Sequence, residues 1–159
     1  MLDLVAKEVF LTKGIGVHED KLTSFEYALR NAGISGTNIV LCFYPKNHLF
    51  GCPSKKVFDM AKSVISVYPE IESTDTVLFA VSIDNVDSQA KFVDEYQVPY
   101  VHLSDTEKNT CKQYAGLNIA GLGKRSTFVI DKEGLIRKVF RDIDVKSHGQ
   151  EIVDFLKQL

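Results

Sequence analysis

Apolar residues recur along this chain in two rhythms, and their alternation predicts its elements. Ile39 to Tyr44 and Thr76 to Ile83 are continuous apolar runs of the kind found in strands buried at the centre of a sheet. Between them, Val57, Met60, Ala61, Val64, Ile65 and Tyr68 repeat at helical spacing. Val9-Phe10-Leu11 predicts an earlier strand, ended by Gly14 and Gly16. It is followed by a helix over Leu22 to Asn31, with Asp20 as N-cap and Gly33 as C-cap. Downstream, Ser88 to Tyr96 reads as a helix capped by Asp87, Tyr100 to Leu103 as a short strand, and Glu107 to Tyr114 as a short helix. Thr127 to Ile130 and Leu135 to Phe140 predict a hairpin across Asp131-Lys132-Glu133-Gly134, and Gly149 to Leu159 a closing amphipathic helix. Strands and helices alternating with short turns predict an α/β fold, a central mixed sheet flanked by helices. No repeat or Pro/Ser-rich linker interrupts the pattern, so residues 1–159 are expected to form a single domain, with 1–36 as its N-terminal strand–helix segment.

Composition narrows the function. With 159 residues, 45% hydrophobic and 25% charged, the chain has the balance of an ordinary domain with a proper core. A net charge of −2 excludes an electrostatic case for nucleic acid, and the apolar runs are too short to cross a bilayer. Met1-Leu2-Asp3-Leu4 is acidic where a secretory signal would be basic. Cys42, Cys52 and Cys111 do not form a disulfide framework, so a reducing cytoplasm is the expected compartment. His18, His48, His102 and His148 lack the spacing of a structural zinc site, and no metal or cofactor is expected. Gly121-Leu122-Gly123-Lys124 is too short for a phosphate loop and reads as a flexible lead-in to Arg125.

One cysteine stands apart. Cys52 lies between the Ile39–Tyr44 strand and the helix of Val57 and Met60, with Pro53 suited to a first helical turn. A thiol at such a junction meets unpaired helical N–H groups and the positive end of the helix dipole, which favour thiolate, the nucleophilic form. Lys55 and Lys56 add positive charge. Cys42, inside the apolar strand, reads as core; Cys111 reads as a half-buried helical cysteine.

Several blocks, taken in order, carry a resemblance: Phe43-Tyr44-Pro45-Lys46, Gly51-Cys52, Val81-Ser82-Ile83-Asp84, Leu103-Ser104-Asp105, Arg125 to Asp131 and Gly134 to Phe140. From about residue 39 the chain resembles the peroxiredoxins, and among them the bacterioferritin-comigratory (Q-type) branch. The resemblance implies a thioredoxin-like fold and a thiol-dependent peroxidase acting on hydrogen peroxide or organic hydroperoxides. It implies Cys52 as the peroxidatic cysteine, Arg125 as the cation that stabilises its thiolate and holds the peroxide, and Pro45 as a shield against bulk water. Two positions depart from the family pattern. Leu49 stands where a hydroxyl residue is usual, with His48 beside it, and Val57 stands where a Q-type resolving cysteine would lie. Cys111 is then the remaining downstream candidate, and a one-cysteine cycle with thioredoxin or another external thiol is the first expectation. The protein is expected as a monomer or homodimer.

Residues 9–36 resemble a different family, the start of pyruvoyl-dependent arginine decarboxylases. Those enzymes generate their cofactor at a Ser-Ser pair, and this chain has none, so the pyruvoyl chemistry is absent and the segment reads as a borrowed strand and helix. Two alternatives stand beside a peroxidase. A disulfide reductase fits poorly, because Cys52 is followed by Pro53, Ser54 and Lys55 rather than by a second cysteine; a catalytically weak or inactive thioredoxin-fold binding protein is the other.

Overall fold

Six strands form one mixed sheet among the described residues of the computed structural model, which are 7–8, 36–49, 52–53, 55–133 and 135–159. The expected strand Val9–Leu11 and helix Leu22–Asn31 lie outside the described residues. A short strand β1 (Lys7–Glu8) instead pairs parallel with β6 (Val101–Ser104) at the sheet edge. The order across the sheet is β1, β6, β5 (Thr76–Ser82), β2 (Asn38–Phe43), β7 (Ser126–Ile130), β8 (Ile136–Phe140). β2 is parallel to β5 and antiparallel to β7, so the central run Asn38–Phe43 is hydrogen-bonded on both sides.

That position explains its continuous hydrophobicity. Ile39, Leu41 and Phe43 face one side, where they pack with Phe79, Val81, Phe128 and Tyr114. Val40, Cys42 and Tyr44 face the other, which is covered by α1 (Lys55–Ser73), α2 (Val86–Glu95) and α4 (His148–Leu156). The short helix α3 (Asn109–Tyr114) closes the first side with Cys111 and Tyr114. Each fully buried side chain such as Leu41 or Phe43 contributes roughly 1.5–3 kcal/mol through the area it withdraws from water.

Two expectations about helix starts are corrected. Asn85, not Asp87, caps α2: its Oδ1 accepts the Ser88 N–H at 2.8 Å, and Asp87 sits in the first turn, where its charge suits the dipole. Pro53 is not in the first turn of α1. It pairs in a two-stranded ladder, β3 (His48–Leu49) against β4 (Cys52–Pro53), and the helix begins at Lys55. The cause is local: a proline disfavours the helical region for the residue before it, which drives Cys52 to extended backbone.

Candidate active site

The end of β2 carries the chain into the site. Tyr44 extends the strand by donating its N–H to the Val81 carbonyl at 3.1 Å, and half-buried Pro45 and buried Asn47 follow. The β3–β4 ladder then sets Leu49 directly opposite Cys52, and His48 opposite Pro53. The residue in the usual hydroxyl position is thus the cross-strand neighbour of the candidate nucleophile. The side chains of His48, Leu49 and Cys52 lie outside the described residues.

Arg125 reaches the same end of the sheet through register. Antiparallel pairing sets Phe43 against Ser126, so Arg125 enters β7 beside Tyr44, on the face covered by α1. Its Nη1 donates to Met60 Sδ at 3.2 Å, a weak acceptor on α1. None of the ion pairs formed among the described residues involves it. Burial lowers the Arg125 pKa, yet guanidinium stays charged in proteins. A partly desolvated cation without a carboxylate is costly unless an anion completes it.

The lead-in to Arg125 differs from expectation. It is not a loose segment: Gly121 donates its N–H to Asn118 O, Leu122 N–H is held by Asn118 Oδ1, and Lys124 N–H by Gly116 O. Gly121 has φ 72°, which suits glycine. The bonded turn delivers Arg125 in a fixed direction.

A buried polar network holds the loop that carries Pro45. The Tyr44 hydroxyl lies 2.6 Å from Asn47 Oδ1, 2.8 Å from Gln89 Oε1 and 3.0 Å from His102 Nδ1. Asn47 donates its backbone N–H to Asp84 Oδ2 at 2.9 Å and its Nδ2 to Gln89 Oε1 at 2.9 Å. Ser82 Oγ donates to Asp84 Oδ2 at 2.6 Å, and Gln89 Nε2 donates to Ser82 Oγ and the Leu103 carbonyl. Buried hydrogen-bond networks of this kind rigidify what they join. Here they join the loop after β2 to β5, β6 and α2. Ser82 and Asp84 belong to one of the sequence blocks above, whereas Asn47 and Gln89 lie in none and no motif marks them.

The other cysteines behave as core. Cys42 is buried, accepts weakly from Thr127 Oγ1 at 3.7 Å, and has its thiol pushed up to about 12 by burial, against a smaller downward pull from Arg125. Cys111 is fully buried, and burial together with the Asp105 carboxylate raises its pKa further from nucleophilic use. Among the described residues there is no cluster of side chains able to hold a metal, and no helix is long and apolar enough to cross a membrane.

Comparison with known proteins follows this geometry. The AhpC/TSA family model matches residues 19–139. The chain is 33% identical over 137 residues to peroxiredoxin Bcp of Bacillus subtilis, covering 78% of this chain and 80% of that protein. It is 30% identical over 128 residues to a putative peroxiredoxin bcp of Coxiella burnetii, covering 76% and 81%. A cysteine-to-serine mutant of Xylella fastidiosa PrxQ superposes with a TM-score of 0.72 over 80% of both chains at 22% identity, which establishes the thioredoxin-like fold. A stretch of 52 residues is 69% identical to the pyruvoyl-dependent arginine decarboxylase of Nitrosopumilus maritimus; it covers 31% of this chain and 28% of that protein.

Proposed function

We propose a function from one premise: the chain belongs to the AhpC/TSA family. Its relatives are peroxiredoxins, and it is a thiol-dependent peroxidase, an oxidoreductase that takes a peroxide and a thiol reductant. They do not favour the reading as a non-catalytic binding protein.

In the proposed reaction the Cys52 thiolate attacks one peroxide oxygen. A sulfur–oxygen bond forms as the oxygen–oxygen bond breaks, and the leaving oxygen takes a proton and departs as water or an alcohol. Cys52 is left as a sulfenic acid. One thiol of the reductant attacks that sulfur and releases water, and a second thiol resolves the mixed disulfide. Arg125 stabilises the thiolate and the charge developing on the peroxide, and Pro45 shields the centre from water. Thioredoxin or another external thiol serves as reductant, since Val57 replaces the Q-type partner and Cys111 is buried. We further propose one domain over residues 1–159 with 1–36 as its N-terminal segment, a cytoplasmic location, and a monomer or homodimer.

The observation that carries this reading is the Arg125 guanidinium. It is partly desolvated, bonded only to a thioether among the described residues, and set beside Tyr44 at the strand end that leads to Cys52. The test is hydrogen peroxide consumption with dithiothreitol or thioredoxin, for the wild type and Cys52→Ser. Loss of turnover in the variant is expected; equal rates would sink the assignment of Cys52.

A further inference from the structure

The turn that delivers Arg125 also presents an isoleucine to water. Gly121 donates its N–H to the Asn118 carbonyl at 2.9 Å, which makes Ile119 and Ala120 the two central residues of a tight turn. Glycine, proline and short polar residues dominate such positions. Here the tip is apolar, and the Ile119 side chain is fully exposed. The base of the turn is closed by the Leu117–Gly123 bridge and by Asn118 N–H on the Leu122 carbonyl at 2.8 Å. Ile119 is thus held out on a backbone that binding does not have to order, which spares an entropic cost.

The surroundings of that tip are cationic. A Cβ at Gly121 would lie 3.2 Å from Lys108 Nζ, and one at Gly116 would lie 3.9 Å from Lys124 Nζ, so both ammonium groups rest against the turn. A Cβ at Gly123 would lie 3.6 Å from the Tyr44 carbonyl oxygen, so the turn abuts the residue before Pro45. Exposed Lys46 follows Pro45, and exposed Lys55 and Lys56 open α1, the helix that follows Cys52. None of the ion pairs formed among the described residues involves any of these lysines. Against them stand exposed Asp87 and Glu107 and half-buried Asp59, so cations predominate here although the whole chain carries −2. A lone exposed apolar residue is ordinary. A rigid one set among unpaired charges of one sign, beside the loop that leads to a reactive thiol, is complementary to an acidic partner.

We infer that this face docks the protein reductant: Ile119 enters an apolar hollow beside the partner's dithiol, and Lys108 and Lys124 meet carboxylates around that hollow. The inference rests on the peroxidase reading above. The usual footprint of a specific complex is about 800 Å² per partner, or ~30 Å across. That is wide enough to take in both the turn and the loop it abuts.

Steady-state peroxide turnover with two reductants tests it: thioredoxin with its reductase and NADPH, and dithiothreitol, which needs no docking surface. Ile119→Asp and Lys108→Glu should each raise the KM for thioredoxin by about tenfold or more. The dithiothreitol-driven rate should stay at the wild-type value, which also shows that each variant is folded. Added salt should raise the wild-type KM for thioredoxin and affect Lys108→Glu less. A thioredoxin KM unmoved in both variants would overturn the inference, and so would a wild type that turns over with dithiothreitol but not with thioredoxin. Sedimentation velocity covers the other occupant: a dimer lost in Ile119→Asp with the thioredoxin KM unchanged would assign the face to a second copy and overturn it too. A wild type inactive with dithiothreitol as well would defeat the peroxidase reading, and the inference with it.

Discussion

Arg125 is the residue on which the proposed chemistry turns, because its charge has no carboxylate to answer it among the described residues. Replacing it by alanine should lower kcat/KM for peroxide by about 10²–10³-fold, the usual loss when a donor to developing charge is removed. The same change should move the pH midpoint of Cys52 alkylation upward, since an adjacent cation favours thiolate. A rate that fell with an unmoved midpoint would confine Arg125 to holding the peroxide. His102 supports a second residue-scale prediction. Burial lowers its folded pKa to about 3, below the ordinary 6.5, so the unfolded chain binds the proton first as pH falls. Stability is complete above 6.5 and declines toward 3, by about 2 kcal/mol between pH 7 and pH 5 from this group alone. Urea melts at those two values should show that loss in the wild type and a smaller one in His102→Gln; equal losses would mean that another group carries the effect. Of these residues, the candidates Cys52, Pro45 and Arg125 come from local motifs. His102 and Gln89 do not, since Tyr44 meets them across 58 and 45 positions of sequence.

Among the elements, those with a strong period were readable and their ends were not. The β2 and β5 runs and the β7–β8 hairpin fall where apolar continuity put them. The start of α1 did not, because Pro53 satisfies two rules at once: it suits a first helical turn, and it also forces Cys52 to be extended. The structure follows the second. α1 also runs on through Pro69 to Ser73, with buried Ile71 continuing its apolar face past Tyr68. Its packing on α4 is set by one glycine that pattern could not single out. A Cβ at Gly149 would lie 2.3 Å from the Ser63 carbonyl oxygen and 2.8 Å from its carbon, both backbone atoms of α1, and Gly149 N–H bonds Ser63 Oγ at 2.9 Å. Gly149→Ala must therefore push the two helices apart. A loss of roughly 1–3 kcal/mol in chemical unfolding is expected, the range for overpacking a close contact. No loss would mean that α4 can shift freely over α1.

At the scale of the whole molecule, the N-terminal segment reaches the sheet. The peroxiredoxin-like part supplies β2, β5, β6, β7 and β8, while β1, from the N-terminal segment, pairs parallel with β6 and covers that edge. Lys7 lies against Leu103 and Glu8 against Ser104. An uncovered strand edge presents unpaired N–H and C=O groups that recruit another chain. If the segment serves the sheet in this way, a chain lacking residues 1–35 should unfold at lower urea and associate as its concentration rises, with sedimentation velocity reporting the larger species. The decarboxylase likeness makes a different claim about the same residues, because a pyruvoyl enzyme would cleave itself. The chain has no Ser-Ser pair, so mass spectrometry of the full-length protein should find one uncleaved species. Two fragments would restore the decarboxylase reading. An intact full-length chain, with a shortened form as stable and as monomeric as the whole, would instead remove any structural role for the segment. An intact chain whose shortened form is weaker and associates would leave β1 as a guard of the β6 edge in a peroxidase.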